Sequence, residues 1–182
     1  MMDQHGVLET PLRKKILVIG DMSGKSATIQ VYIQDEFCHT YATIFDNFQA
    51  DVEVDGTYVV AEIIDTTCSD KFGVIRKEMY ANADVVIIFF SVYSRQSFRN
   101  VQEIWLPEVM KSRGRIPFIL VGTIAKIGFS DGDRVSFEEA RALAEEIGAL
   151  CYVECWPDRK YNVDRVFQEA ISATLKGNGN NV

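Results

Sequence analysis

Apolar residues in this chain fall into short continuous runs, separated by stretches with helical spacing. Lys14 to Ile19 is the first such run and suits a strand in the middle of a sheet covered on both faces. Gly24 to Gln34 follows as a helix, and residues 35–45, which lack a period, read as a surface connection. Asp46 to Val54 and Thr57 to Ile64 have strand composition and are joined by Asp55-Gly56, a dipeptide suited to tight turns, which predicts an antiparallel hairpin. Residues 65–73 read as irregular and Val74 to Ala83 as a short helix. Strands and helices then alternate: Asp84 to Ser91, Ser97 to Ser112, Pro117 to Gly122, Ser136 to Ile147, Leu150 to Glu154, Val163 to Leu175. The pattern predicts a six-stranded, mostly parallel α/β sheet with one antiparallel strand and helices on both faces. Ser136 with Glu139 matches a capping box, and Gly148 stands where that helix would be capped.

Between the first strand and first helix lies Gly20-Asp-Met-Ser-Gly24-Lys25-Ser26, close to the phosphate-binding pattern G-x-x-x-x-G-K-S/T but one residue short. In the intact pattern backbone N–H groups cradle phosphates, the lysine reaches the outer ones and the hydroxyl holds Mg²⁺. Two alignments are open. Either Gly20 is the first glycine of a shortened loop, or the length is kept and Ile19 takes the first glycine's place.

Composition changes this picture little: 182 residues with 47% hydrophobic and 25% charged side chains make one ordinary globular domain. Residues 1–12 read as a flexible leader and 176–182 as a disordered tail, leaving 13–175 as the domain. A net charge of -7 disfavours nucleic acid as a partner. Cys38, Cys68, Cys151 and Cys155 lack metal-ligand spacing, and the N-terminus lacks a signal-peptide layout, so free thiols and a cytoplasmic location are expected.

The segment Tyr41-Ala-Thr-Ile-Phe-Asp-Asn-Phe-Gln-Ala-Asp-Val-Glu-Val-Asp-Gly56 resembles the effector segment and hairpin of Rho-family small GTPases, in the Ras superfamily. Trp105-Leu-Pro-Glu-Val109 is similar to that family's W-x-P-E-V, and the resemblance runs from about Lys14 to Leu175. It implies a G domain of the P-loop NTPase type, with GTP or GDP and Mg²⁺ as ligands if nucleotide is bound at all. Gly20, Ser23, Gly24, Lys25 and Ser26 would meet the phosphates, and Ser26, Thr43 and Asp65 would hold the metal. Thr43, Ile44, Phe45, Asp46, Asn47, Phe48, Phe72 and Ile75 would form the effector-binding face. Trp105 reads as ordinary helix packing.

Other motifs depart from the family. Asp65-Thr-Thr-Cys-Ser-Asp70 stands where the family has D-T-A-G-Q-E, so Cys68 replaces the glycine that senses the γ-phosphate and Ser69 the glutamine that orients attacking water. Serine is too short for that task, and no catalytic group is left intact. A redox role for Cys68 lacks a cationic neighbour in the sequence. Thr123-Ile-Ala-Lys126 occupies the place of N-K-x-D, and Lys126 offers only donors where an acceptor binds guanine. That exchange should cost ~2–5 kcal/mol of affinity. Glu154-Cys-Trp-Pro-Asp158 replaces E-C-S-A-K, so Asp158 stands for the lysine beside the base, and Trp156 either fills the base pocket or lies on the surface.

The expectation is therefore an atypical Rho-like protein, a monomer without a lipid anchor in this chain, with weak, base-relaxed or absent GTP binding and little hydrolysis. It would act on protein effectors or regulators of Rho-type signalling. The alternative is a working GTP switch controlling the actin cytoskeleton.

Overall fold

The computed structural model describes residues 11–21, 24–37, 45–113, 116–124 and 134–176. Its strands are β1 (Leu12–Gly20), β2 (Phe45–Val54), β3 (Thr57–Thr66), β4 (Val85–Ser91), β5 (Phe118–Thr123) and β6 (Tyr152–Cys155). They form one sheet in the order β2-β3-β1-β4-β5-β6. β2 runs antiparallel to β3, and the other pairings are parallel. Asp55 (φ 51°) and Gly56 (φ 74°) make the turn of the β2–β3 hairpin, in the positive-φ region such a tight turn needs.

The helices are α1 (Lys25–Gln34), α2 (Gly73–Asn82), α3 (Arg95–Asn100), α4 (Leu106–Arg113), α5 (Phe137–Ile147) and α6 (Val163–Lys176). Alternate residues of β1 serve opposite faces, as the pleat requires. Ile16 and Val18 join Ile29, Val31, Phe167 and Ile171 from α1 and α6. Leu17 and Ile19 join Tyr80, Trp105, Val109 and Leu143 on the other face. Each such side chain taken fully out of water contributes ~1.5–3 kcal/mol, so these two layers dominate stability.

The capping box forms as expected, with Ser136 and Glu139 bonding each other's backbone N–H, and Gly148 caps the far end at φ 76°. β3 continues two residues past Ile64, which places Asp65 within the ladder opposite Val18. The single helix expected over Ser97 to Ser112 is corrected: α3 starts at Arg95 behind an N-cap from Ser94, a π-helical turn spans Val101–Trp105, and α4 follows. An apolar period cannot register that wider turn, since it shifts the helix face by a single residue.

Candidate functional site

β1 delivers its loop to α1 on one face, whereas β4 delivers its chain to α3 on the other, and a crevice opens between strand ends at such a divergence. Gly20 sits at the mouth of this crevice with φ 130°, so close to β4 that an added Cβ would lie 2.1 Å from the Phe89 carbonyl oxygen. Only glycine satisfies both conditions. Ile19 lies wholly in the core and pairs with Ile88. Gly20 is accordingly the last residue of β1, where the loop begins, and Ile19 belongs to the strand. Ser23 lies outside the described residues.

Gly24 is the N-cap of α1, in the left-handed region at φ 82° and ψ 16°, and its carbonyl accepts bonds from the Thr28 N–H and hydroxyl. Lys25 is 6% exposed. Its Nζ donates to the carbonyls of Gly20 (3.0 Å) and Asp21 (2.8 Å), which ties the loop to the helix start. Burial pushes the Lys25 ammonium below its ordinary 10.5, while nearby Asp65, Cys68 and Asp21 pull the other way. The Ser26 hydroxyl donates to Asp65 Oδ2, and Asp65 is fully buried.

These groups suit the ligands the family implies. A hydroxyl and a carboxylate side by side are hard oxygen donors of the kind Mg²⁺ takes. A buried ammonium at the mouth of a left-handed glycine loop and a helix N-terminus is a favourable anion environment. Thr43, the third expected metal ligand, lies outside the described residues.

Beside the loop is a polar cluster that the sequence reading missed. Asp21 Oδ1 accepts from Trp105 Nε1 at 2.9 Å and Oδ2 from Asn100 Nδ2 at 2.7 Å. Arg76 Cζ lies 5.2 Å from the centre of the Trp105 ring, and Arg76 is 1% exposed. Its Nε and Nη2 form a fork on Glu108 at 2.7 and 3.0 Å, and its Nη1 donates to the carbonyls of Thr67 (3.0 Å) and Ser69 (2.8 Å). Tyr80 donates to the same carboxylate, and burial with Glu108 beside it raises the Tyr80 hydroxyl well above its usual range. Trp105 is thus a hydrogen-bonding partner of the loop as well as core packing. Glu108 and Trp105, three residues apart in W-x-P-E-V, were the available signal.

Arg76 holds the two carbonyls flanking Cys68 and so braces the 67–69 segment. The Ser69 N–H donates to the Thr67 hydroxyl at 3.2 Å, closing a tight turn in the water-positioning place.

On the base side, Thr123 is fully buried and its hydroxyl donates to the Phe90 carbonyl, so this side chain serves the sheet. Trp156 is half-buried with the Arg159 guanidinium 4.2 Å from its ring centre, and Asp158 is exposed. Lys126 lies outside the described residues.

The expected effector residues differ in their surroundings. Phe45 meets Phe72 edge to face, with ring centres 5.6 Å apart. Asp46 and Asn47 are exposed, as are Ile75 (43%) and its neighbour Val74 (72%). Phe48 instead packs against the core on the α1–α6 side. Ile44 lies outside the described residues. Among the described residues no helix is long and apolar enough to cross a membrane.

Comparison with known proteins agrees with this geometry. The Ras family model matches residues 15–176. The GTP-binding protein rho5 of Schizosaccharomyces pombe is 33% identical over 180 residues, covering 92% of this chain and 90% of that protein. The GTP-binding protein RHO1 of Saccharomyces cerevisiae is 34% identical over 178 residues, covering 91% of this chain and 85% of that protein. With a Ras-type sheet order, a glycine loop delivered at the end of β1 and Rho-type relatives along nearly its whole length, the chain belongs to the Rho-type small GTPases of the Ras family.

Proposed function

We propose that this protein is an atypical Rho-type signalling module that keeps the phosphate and metal half of its nucleotide site and has lost the half that selects guanine. The contrast between two ends of one crevice carries the reading. At one end Lys25 and Asp65 are buried and the half-buried Ser26 donates to Asp65; at the other the Thr123 hydroxyl donates to β4 and Asp158 faces solvent. Lys25 and Gly24 would hold phosphates, with Ser26, Asp65 and Thr43 around Mg²⁺, which would supply neutralisation of phosphate charge. Ser69 carries no group long enough to orient water, so hydrolysis would run near background.

Signalling would then proceed by docking. Phe45, Phe72 and Ile75, with Asp46 and Asn47 at the rim, offer an apolar patch with polar edges of the kind protein partners use. Partners would be effectors or regulators of Rho-type signalling, met in the cytoplasm by a monomer, and a link to the actin cytoskeleton follows from the kinship.

A second reading, a working GTP switch, is favoured by the intact metal-side pair Ser26 and Asp65 and by relatives named GTP-binding proteins. The two separate on one preparation: protein purified without added nucleotide is denatured and its supernatant chromatographed. The proposal expects little or no guanine nucleotide, and stoichiometric GTP or GDP would establish the switch instead.

A further inference from the structure

Lys25 donates to the Asp21 carbonyl, while the two Asp21 carboxylate oxygens accept from Asn100 and Trp105, at the end of α3 and in the π turn. Asn100 and Trp105 are five residues apart, a spacing that an α-helix turns to different faces. The π turn over Val101–Trp105, closed by Leu106 N–H donating to the Val101 carbonyl, brings both donors to one carboxylate. The same indole ring meets Arg76, whose guanidinium holds the Thr67 and Ser69 carbonyls. Loop, indole, guanidinium and the 67–69 segment thus form one continuous chain of contacts through buried side chains.

We propose that Trp105 is a positioning residue that couples the phosphate loop at Asp21 to the segment 67–76, and so to the exposed Val74 and Ile75 of the docking face. The link deepens the proposed function, on whose phosphate site its biological use rests. Anything that moves Asp21 moves the indole, and the Arg76 fork then sets whether the Thr67 and Ser69 carbonyls stay held.

The test needs no nucleotide. The chain has 2 Trp, so Trp156→Phe leaves Trp105 as the one indole reporter. In that background Asp21→Ala, Asp21→Asn and Asn100→Ala are compared by Trp105 emission and by amide exchange over 67–76, with exchange in β4 and β5 marking global stability. Asp21→Ala should shift the emission and speed exchange over 67–76 by about tenfold beyond any change in β4. Asp21→Asn, which keeps an acceptor for the indole, should do less, and Asn100→Ala should give a smaller effect on the same amides. Trp105→Phe, read by exchange alone, should match Asp21→Ala, and Asp21→Ala should add nothing to it. Unchanged exchange over 67–76 in Asp21→Ala and Asn100→Ala, or full additivity with Trp105→Phe, would overturn the coupling. Titration of the parent protein with Mg²⁺-GDP tests the phosphate site separately, so the two readings fail by different results.

Discussion

Gly20 and Phe89 approach so closely that the α-carbon of one has no room for a side chain beneath the carbonyl of the other. The contact is where β1 hands the chain to its loop, and it fixes the mouth of the crevice against β4. Gly20→Ala should destabilise the fold by about 3 kcal/mol or more, from backbone overlap added to an unfavourable φ. Gly148→Ala is the control: it shares a positive φ of 76° but meets nothing within 4 Å, and should cost only about 1 kcal/mol. Urea unfolding midpoints of the two variants check the difference, and equal losses would remove the packing argument.

Arg76 and Glu108 form a nearly buried ion pair that also carries two backbone carbonyls and Tyr80. Removing one charge leaves the other without its counter-ion, so Arg76→Met or Glu108→Leu should each cost about 3–5 kcal/mol. The double variant should recover much of that, because two apolar groups leave no buried charge. Arg76→Lys should rescue little, since an ammonium cannot make the fork and reach both carbonyls. Denaturation of the four variants measures the cycle.

Arg95 bonds Glu139 and the Ser136 N–H donates to it, which together lower the Glu139 carboxyl from its ordinary 4.5 to about 2. A depressed folded-state value means that the stabilisation is complete above pH 4.5 and is lost as pH falls toward 2. Both side chains are well exposed, at 38% and 45%, so solvent screens the effect and it should be small. Glu139→Gln should flatten the acid limb of the stability curve between those pH values without changing its neutral-to-alkaline limb. An acid limb of unchanged slope would contradict the assignment.

The strands themselves, the hairpin at Asp55-Gly56 and the capping box at Ser136 were legible because each is a local signal: an apolar run, a turn dipeptide, a fixed three-residue spacing. That Lys25, Ser26 and Asp65 come together was readable for the same reason, through motifs with defined offsets. Asp21, Asn100 and Arg76 were not. Asp21 meets partners 79 and 84 residues away and Arg76 meets Glu108 32 residues away; the W-x-P-E-V segment marks Trp105 and Glu108, but nothing local says which residues they meet. The π turn was hidden because one extra residue in a helical turn leaves the apolar pattern almost intact. That Phe48 also packs against the α1–α6 layer was hidden for a related reason: composition marks an aromatic segment, whereas the pleat decides which face each residue joins.

Phe45 and Phe72, which meet edge to face, are the aromatic pair of the proposed docking patch. Phe45→Ala should raise the Kd of a Rho-type protein partner about tenfold or more, as loss of an aromatic anchor does. Because Phe45 is only half-buried, its melting temperature should stay within a few degrees of the parent's. Surface-immobilised protein with purified partner measures the first and scanning calorimetry the second. Unchanged affinity would move the docking site elsewhere.

Base discrimination tests the central claim most directly. Nucleotide-stripped protein is titrated with labelled GTP and, separately, ATP in the presence of Mg²⁺. A site that keeps Lys25, Ser26 and Asp65 but has lost guanine selection should bind both weakly and within about threefold of each other. A preference for GTP of about 100-fold or more would contradict it and restore the guanine-selective switch.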